Sequence, residues 1–387
     1  MEGTSVTYRS SWMTADLDIF RETFRRFLST TLSPRSERWR ADKLIDRDAW
    51  LALGEMGALC PDMPEEYGGL GGTFAHVAAV IEDLEHGLPE MALPVAVHNA
   101  IVAQYIMHFG SHEQKQRWLP GLVTGRLVGA IAMTEPGGGS DLRALRTRAG
   151  REGSTYVLNG SKTFITNGQI ADLIIVAATS DPEQGTKGIS LLILEAEGSD
   201  GFRRGRNLDK IGMHASDTSE LFFDHALIPA ENLLGGEEGK GFYQMMEMLP
   251  KERLAIAVSA VAAMERMVQL TSDYVKDRKA FGKPILEFQN TGFVLAERKS
   301  EALIARVFLD WCIEKAIMGE LDQVTASVAK YWTTDKQVET ADACLQLHGG
   351  YGYMSEFEIA RRFVDSRVQR IYGGTNEIMK VLIARSL

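Results

Sequence analysis

TYVLNGSKTFITNG, residues 155–168, is where the character of this chain changes. Apolar and β-branched residues flank Asn159-Gly160, a pair that favours a two-residue hairpin turn. The stretch therefore reads as two short strands around that turn. DLIIVAATS, GISLLILEA and SELFFDHALIP follow as further short apolar runs. The block from 128 to 235 reads as a small antiparallel barrel or sandwich.

Both flanks are helical. DLDIFRETFRRFLSTTL carries Leu17, Phe20, Phe24, Phe27 and Leu28 on one stripe, with Asp16 placed as the cap. PEEYGGLGG (64–72) breaks the pattern. NAIVAQYIMHFGSHEQKQRWLPGLVTG then reads as two helices hinged at Gly110–Ser111, the second stopped by Pro120–Gly121. After GGEEGKGF, three long periodic segments have the character of a helix bundle. The expected architecture is α+β and mostly α, in three units: 1–127 helical, 128–235 β, 236–387 helical.

The 387 residues carry 45% apolar and 24% charged side chains, ordinary for a soluble globular protein. A net charge of −10 argues against non-specific binding of nucleic acid or anionic membrane. Three well-separated cysteines, Cys60, Cys312 and Cys344, suggest reduced thiols. No basic-then-apolar signal opens the chain, and the longest apolar run, 254–264, is too short to span a bilayer. A cytoplasmic location is expected. The eight histidines show no HxxxH or HExxH spacing, so no metal site is expected.

Six stretches offer chemistry. AMTEPGGGSD (132–141) joins the first helical block to the β block, with hydroxyls at Thr134 and Ser140 and bare amides at Gly137 to Gly139. Such a loop suits a phosphate or a planar heterocycle, and equally a linker. FITNG puts Phe164 and Thr166 on one strand face, fit for stacking on a flat ring or for a plain barrel wall. DRKAFGKPILEFQ places Arg278 and Phe281 one helical turn apart, then Gln289. The arginine suits a diphosphate, or the segment is a basic helix end closed by Gly282. LQLHGGYGY has Gln346 before the bare Gly349–Gly350, with His348 reading as structural. In MLPKERLAIA, Pro250 either opens a helix with Glu252 in its first turn, or kinks one continuous helix and turns Glu252 into a cleft. In RIYGGTNEI, Gly373 and Gly374 interrupt an apolar run before Thr375 and Glu377 lead into a last amphipathic helix. No GxGxxG follows a strand, so a Rossmann site is not indicated.

In this order, the motifs resemble the acyl-CoA dehydrogenase family. AMTEPGGGSD looks like its AxTEPxxGSD loop, FITNG like its [WF]I[TS]NG strand, DRKAFGK like its xRxxFG[KR] segment. QLHGGYGY and RIYGGTNEI look like its Q-x-x-GGxGY and IYxGTxE motifs. The resemblance runs from about Asp16 to the C-terminus. It implies an N-terminal helical domain, a central β-domain and a C-terminal four-helix domain, in a homo-oligomer, a tetramer or dimer. The implied cofactor is FAD, bound extended between subunits. Ile131, Met133, Thr134, Gly139, Ser140, Phe164, Ile165 and Thr166 would line the flavin. Arg278, Phe281, Gln289, Gln346, Leu347, His348, Gly349 and Gly350 would reach the partner subunit's FAD, and Thr375 and Glu377 would close over the cofactor.

The implied reaction is α,β-dehydrogenation of an acyl-CoA thioester to the trans-2-enoyl-CoA, with hydride passing to flavin N5, as in fatty acid β-oxidation. In much of the family the third residue of IYxGT is the glutamate base, but here it is Gly373. The isovaleryl and long-chain branches place the base on the helix that carries LPKERL here, and the local match is to the long-chain branch. The resemblance thus assigns the base to Glu252 and leaves Gly373 a backbone N–H donor to the thioester oxygen. Ser140, Ser190, Tyr243, Pro250, Lys251, Arg253, Tyr372, Gly373 and Gly374 would meet the substrate. Electron-transfer flavoprotein is the implied acceptor. An acyl-CoA oxidase and a non-catalytic flavin- or CoA-binding subunit are the alternative readings.

Overall fold

In the computed structural model, residues 8–387 are described; the stretch read for a targeting signal begins at Met1, and its first seven residues lie outside them. Among the described residues, seven α-helices precede the sheet: α1 (Ala15–Phe27), α2 (Ser36–Asp42), α3 (Arg47–Glu55), α4 (Phe74–Gly87), α5 (Pro89–Ala96), α6 (Ala103–Phe109) and α7 (His112–Val123). Thr14, not Asp16, caps α1, its hydroxyl accepting from Leu17 N–H at 3.3 Å. Asp16 sits in the first turn, where the helix dipole favours it. The hinge falls as expected: Gly110 ends α6, and Ser111 with Gln114 forms a capping box for α7. Pro120 does not stop α7, because burial of Leu119, Leu122 and Val123 holds its last turn.

The middle of the chain forms a curled sheet of seven strands: β1 (Gly129–Ala132), β2 (Arg148–Glu152), β3 (Thr155–Thr166), β4 (Leu173–Thr179), β5 (Ile189–Glu195), β6 (Phe202–Asn207) and β7 (Thr218–Pro229). Their order is β1-β4-β2-β3-β7-β6, with β5 on β4. The sheet is mixed rather than antiparallel, since β1 runs parallel to β4. Nor is Asn159-Gly160 a turn. It lies inside β3, a single strand that pairs with β7 along both halves, with a register shift between Leu158 and Gly160. Gly160 has φ +150°, and a Cβ there would stand 2.6 Å from Thr147 Oγ1. This glycine serves a bulge and a close backbone approach. The true hairpin turn is Gly153–Ser154, between β2 and β3.

Five helices follow: α8 (Gly241–Asp277), α9 (Gln289–Ile317), α10 (Gln323–His348), α11 (Glu358–Ser366) and α12 (Asn376–Ala384). Three are long; the two short ones, α11 and α12, both pack on α10. Helix α8 is long and apolar enough to cross a bilayer, yet 72% of its apolar window is buried in the protein, the signature of a core helix. Arg278 and Phe281 are not on a helix. The segment is a tight hairpin, β8 (Lys279–Ala280) with β9 (Lys283–Pro284), turning at Phe281 and Gly282 with φ of +51° and +82°. Two left-handed residues suit the primed turns that match strand twist.

Helix α4 lies between the N-terminal helices and the bundle. Its apolar face joins α8 and α9 in one core with Leu254, Val258, Val261 and Leu309. Three of its acids are buried, and arginines from three other helices answer them. Arg21 lies 3.0 Å from Glu82 and 2.7 Å from Asp83; Arg306 meets Glu82; Arg362 lies 3.5 Å from Glu85. Charges this buried are tolerated only when paired, so the Arg306 and Arg362 pairs tie α4 to the bundle.

Candidate active site

Helix α8 runs unbroken through Pro250, so the continuous-helix reading of MLPKERLAIA is the observed one. Glu252 lies inside it, only 6% exposed. Its Oε1 accepts from the Tyr105 hydroxyl of α6 at 2.9 Å. Burial pushes this carboxyl up to about 7, against the Tyr105 hydrogen bond and the Arg253 charge, which lower it. A carboxylate tuned near neutrality is suited to taking and returning a proton.

Opposite stands the Gly373–Gly374 turn, with φ of +63° and +86°. A Cβ on Gly373 would lie 2.3 Å from Ile256 Cδ1. Ile256 is one helical turn beyond Glu252 on α8, so the helix that carries the acid presses directly on the bare loop. Thr375 closes the loop by capping α12, its hydroxyl accepting from Ile378 N–H at 3.4 Å. Glu377, exposed in that first turn, is held below the usual carboxylate range by its own backbone N–H and then by Thr375. Arg253 is buried beside Glu252, and its Nε has no partner among the described residues. Burial lowers its pKa, and Glu252 acts against that.

A second group gathers where β1 leaves the sheet. Thr163 N–H donates to Thr134 O at 3.0 Å, tying the loop after Ile131 and Met133 to the end of β3. The expected alternation of Phe164 and Thr166 is broken by a bulge between Lys162 and Ile165. Phe164 takes φ +59° and stands 67% exposed, while Ile165 is buried and Thr166 half-buried. Gly139 and Ser140 are exposed in the adjoining loop. What holds this corner was missed in the sequence. Lys162, fully buried, donates to Met133 O at 3.0 Å and Glu135 Oε1 at 2.8 Å. Glu135 in turn accepts from the backbone N–H of Arg146 and Thr147 at 2.7 and 2.9 Å. The signal was a lysine within an otherwise strand-like run, where a charge demands a partner.

A third group lies wholly in the bundle, around a concavity of about 490 Å³ lined by Arg278, Leu347, His348, Gly349 and Gly350 with Tyr274 and Tyr351. The Arg278 guanidinium lies over the Tyr351 ring at 5.6 Å. His348 stacks on Tyr274 at 4.1 Å and meets Thr271 at 3.2 Å. A Cβ on Gly349 or Gly350 would meet nothing within 4 Å, so their backbone borders open space. Phe281, on its hairpin, is 96% exposed, and Gln289 and Gln346 are exposed nearby in sequence. Of the expected substrate contacts, Tyr243 is exposed and Pro250, Lys251, Tyr372 and Gly374 are half-buried. Ser190 is buried, accepting from Gly239 N–H at 2.9 Å and sharing a hydrogen bond with Ser180.

Three family descriptions tile the chain: "Acyl-CoA dehydrogenase, N-terminal domain" over 14–126, "middle domain" over 130–226 and "C-terminal domain" over 239–387. The chain belongs to the acyl-CoA dehydrogenase family. It is 46% identical to the mitochondrial long-chain specific acyl-CoA dehydrogenase of Mus musculus, across 96% of this chain and 86% of that one. The crystal structure of an acyl-CoA dehydrogenase from Geobacillus kaustophilus matches with TM-score 0.95 and 48% identity, over 98% and 99% of the two chains. A glutaryl-CoA dehydrogenase from Mycobacterium smegmatis, solved with FADH2, matches with TM-score 0.90 and 28% identity, over 97% and 95%.

As an acyl-CoA dehydrogenase the protein is an oxidoreductase and an FAD flavoprotein. The residues present fit that cofactor. Exposed Phe164 offers a face for stacking beside the Thr134 and Ser140 hydroxyls. Arg278 and the bare Gly349–Gly350 backbone offer charge and close approach for a diphosphate.

Proposed function

We propose that Glu252 is the base of an α,β-dehydrogenation of acyl-CoA thioesters. One contact carries this reading: Ile256, a turn beyond Glu252 on α8, touches Gly373. The acid and the bare backbone thereby face one cleft. Glu252 takes the α-proton. The thioester oxygen gains negative charge as that proton leaves, and the Gly373 N–H, which needs no side chain, is the donor we assign to it. Bound FAD supplies the acceptor for the β-hydrogen, which leaves as hydride. The product is the trans-2-enoyl-CoA, and the work is one step of fatty acyl β-oxidation. Arg253, beside Glu252, meets the substrate.

Glu252→Gln keeps the shape and removes the base. Under anaerobic conditions, a panel of acyl-CoAs is expected to bleach wild-type flavin and leave that of the variant oxidised, with FAD and substrate still bound. Bleaching of both at similar rates would sink Glu252 as the base, and the chain lengths that bleach wild type name the substrate class. Electron-transfer flavoprotein is the acceptor we propose; rapid hydrogen peroxide formation without it would point to an oxidase instead. The protein is also proposed to be a homo-oligomer, a tetramer, in which the bundle concavity serves the partner subunit's FAD. An exposed apolar stripe on α9 supports this: Phe293, Ile304, Val307, Trp311 and Met318. Buried, unpaired Cys60, Cys312 and Cys344 accord with the cytoplasm as its compartment.

A further inference from the structure

Lys330 of α10 is fully buried, and its partners are unusual for a buried ammonium. It donates to the Gly374 carbonyl at 2.8 Å and to Asn376 Oδ1 at 2.9 Å. Neither is a carboxylate. A methionine of similar length would fill this space without the cost of burying a charge. The lysine therefore has a task that only its N–H groups perform.

That task is visible in what α10 grips. Asn376 Nδ2 donates to Tyr331 O at 3.2 Å, to Thr334 Oγ1 at 2.9 Å and to Asp335 Oδ1 at 2.9 Å. Asp335 also pairs with Arg370 at 2.6 Å, at the other end of the same loop. Residues 330, 331, 334 and 335 share one face of α10, and that face holds the loop from 370 to 376. Two successive glycines have more backbone freedom than any other pair, so unaided they would sample many turn shapes. Ile256 restrains the pair from the Gly373 side and Lys330 from the Gly374 carbonyl. We infer that Lys330 is a positioning residue for the reaction: it fixes the Gly373–Gly374 turn so that the Gly373 N–H stays aimed at the thioester oxygen. A donor of this kind works only if it is held before charge develops. Burial first, and the nearby Arg253 next, bring the Lys330 pKa down to about 7. The role survives loss of charge, because a neutral amine retains two N–H groups for its two acceptors.

This inference rests on the Glu252 and Gly373 reading, and the experiment separates the two. Wild type, Glu252→Gln and Lys330→Met holoenzymes are compared by anaerobic flavin bleaching with an acyl-CoA that bleaches wild type. Amide hydrogen exchange of the peptide covering 371–377 is followed in each without substrate. Lys330→Met is expected to bleach about tenfold to a hundredfold more slowly at saturation. Its half-saturating concentration should stay within about threefold of wild type, since a misaimed oxyanion donor is felt in the transition state. Exchange in 371–377 should quicken. Acetoacetyl-CoA, which can bind as its enolate, should need a higher pH to do so in the variant. Wild-type bleaching and loop exchange in Lys330→Met overturn the inference; so does a loss that appears only in half-saturation. Equal bleaching by wild type and Glu252→Gln defeats the underlying reading instead. Should Lys330→Met fail to fold, Lys330→Gln, shorter by a bond, is expected to show the same pattern in milder form. Unchanged rate and exchange in that variant overturn it equally.

Discussion

At the residue scale, Glu252 ties rate and stability to pH in opposite senses. As the proposed base it must be ionised, so turnover should rise with pH through about 7, where burial has moved the carboxyl. The Tyr105 hydrogen bond favours the ionised form, and removing it should carry the limb upward. We expect Tyr105→Phe to shift the rising limb of the pH–rate profile by about one unit to higher pH. A limb that stays put would exclude that hydrogen bond as the tuning contact. The stability sign follows from linkage. The folded carboxyl binds its proton at about 7 and the unfolded one near 4.5, so this group's contribution is fully present below 4.5 and lost as pH rises through 7. Glu252→Gln removes the dependence. Relative to wild type, it should gain about 3 kcal/mol in denaturant unfolding between pH 4.5 and pH 8, an upper figure tested by melts at the two pH values. Nothing in LPKERL alone reveals this tuning, because the hydroxyl that answers Glu252 lies 147 residues away. On the residues themselves, a helix-start acid and a cleft acid read alike; the motif resemblance separated them.

At the element scale, periodicity made the helices and strands readable, while turns and caps depended on partners. The block order held because an apolar stripe or alternation is written locally. Asn159-Gly160 misled because a turn preference of this size yields to pairing of β3 with β7 on both sides of it. DRKAFG misled in the reverse direction, a helix end by composition and a hairpin by geometry. Gly153 and Gly160, at the β2–β3 turn and inside β3, should therefore respond differently to alanine. At Gly160 the new Cβ would stand 2.8 Å from Thr147 Cα, a backbone atom that cannot swing away. At Gly153 it meets nothing within 4 Å and pays only for φ +63°. We expect Gly160→Ala to cost about 2–4 kcal/mol and Gly153→Ala about 1 kcal/mol, read from denaturant midpoints. Equal losses would mean that Gly160 is not a close-approach site. The corner of the second group was illegible for a related reason: Lys162 and Glu135 meet only once the loop after β1 lies against the end of β3.

At the scale of the whole molecule, buried pairs of α4 with arginines from α9 and α11 lock the N-terminal helices to the bundle of the same chain, whereas the α9 stripe is the surface proposed to meet another chain. Val307→Asp combined with Trp311→Asp puts charge into that stripe without touching the cleft. Sedimentation should show a smaller assembly, and FAD should be lost on dilution if the bundle concavity serves a neighbour's cofactor. An unchanged assembly would remove α9 from the interface. None of this is visible in the motifs, which describe one chain and carry no record of which surfaces meet.

The contact between Ile256 and Gly373 also bears on where a carboxylate can sit. A glutamate at residue 373 would have its first side-chain carbon 2.3 Å from Ile256 Cδ1 and would start from φ +63°. The Ile256 methyl is the far end of a flexible side chain and can turn aside, whereas a left-handed backbone stays costly for any residue with a Cβ. The lasting obstacle to an acid at this position is thus the shape of the turn, more than the bulk that faces it.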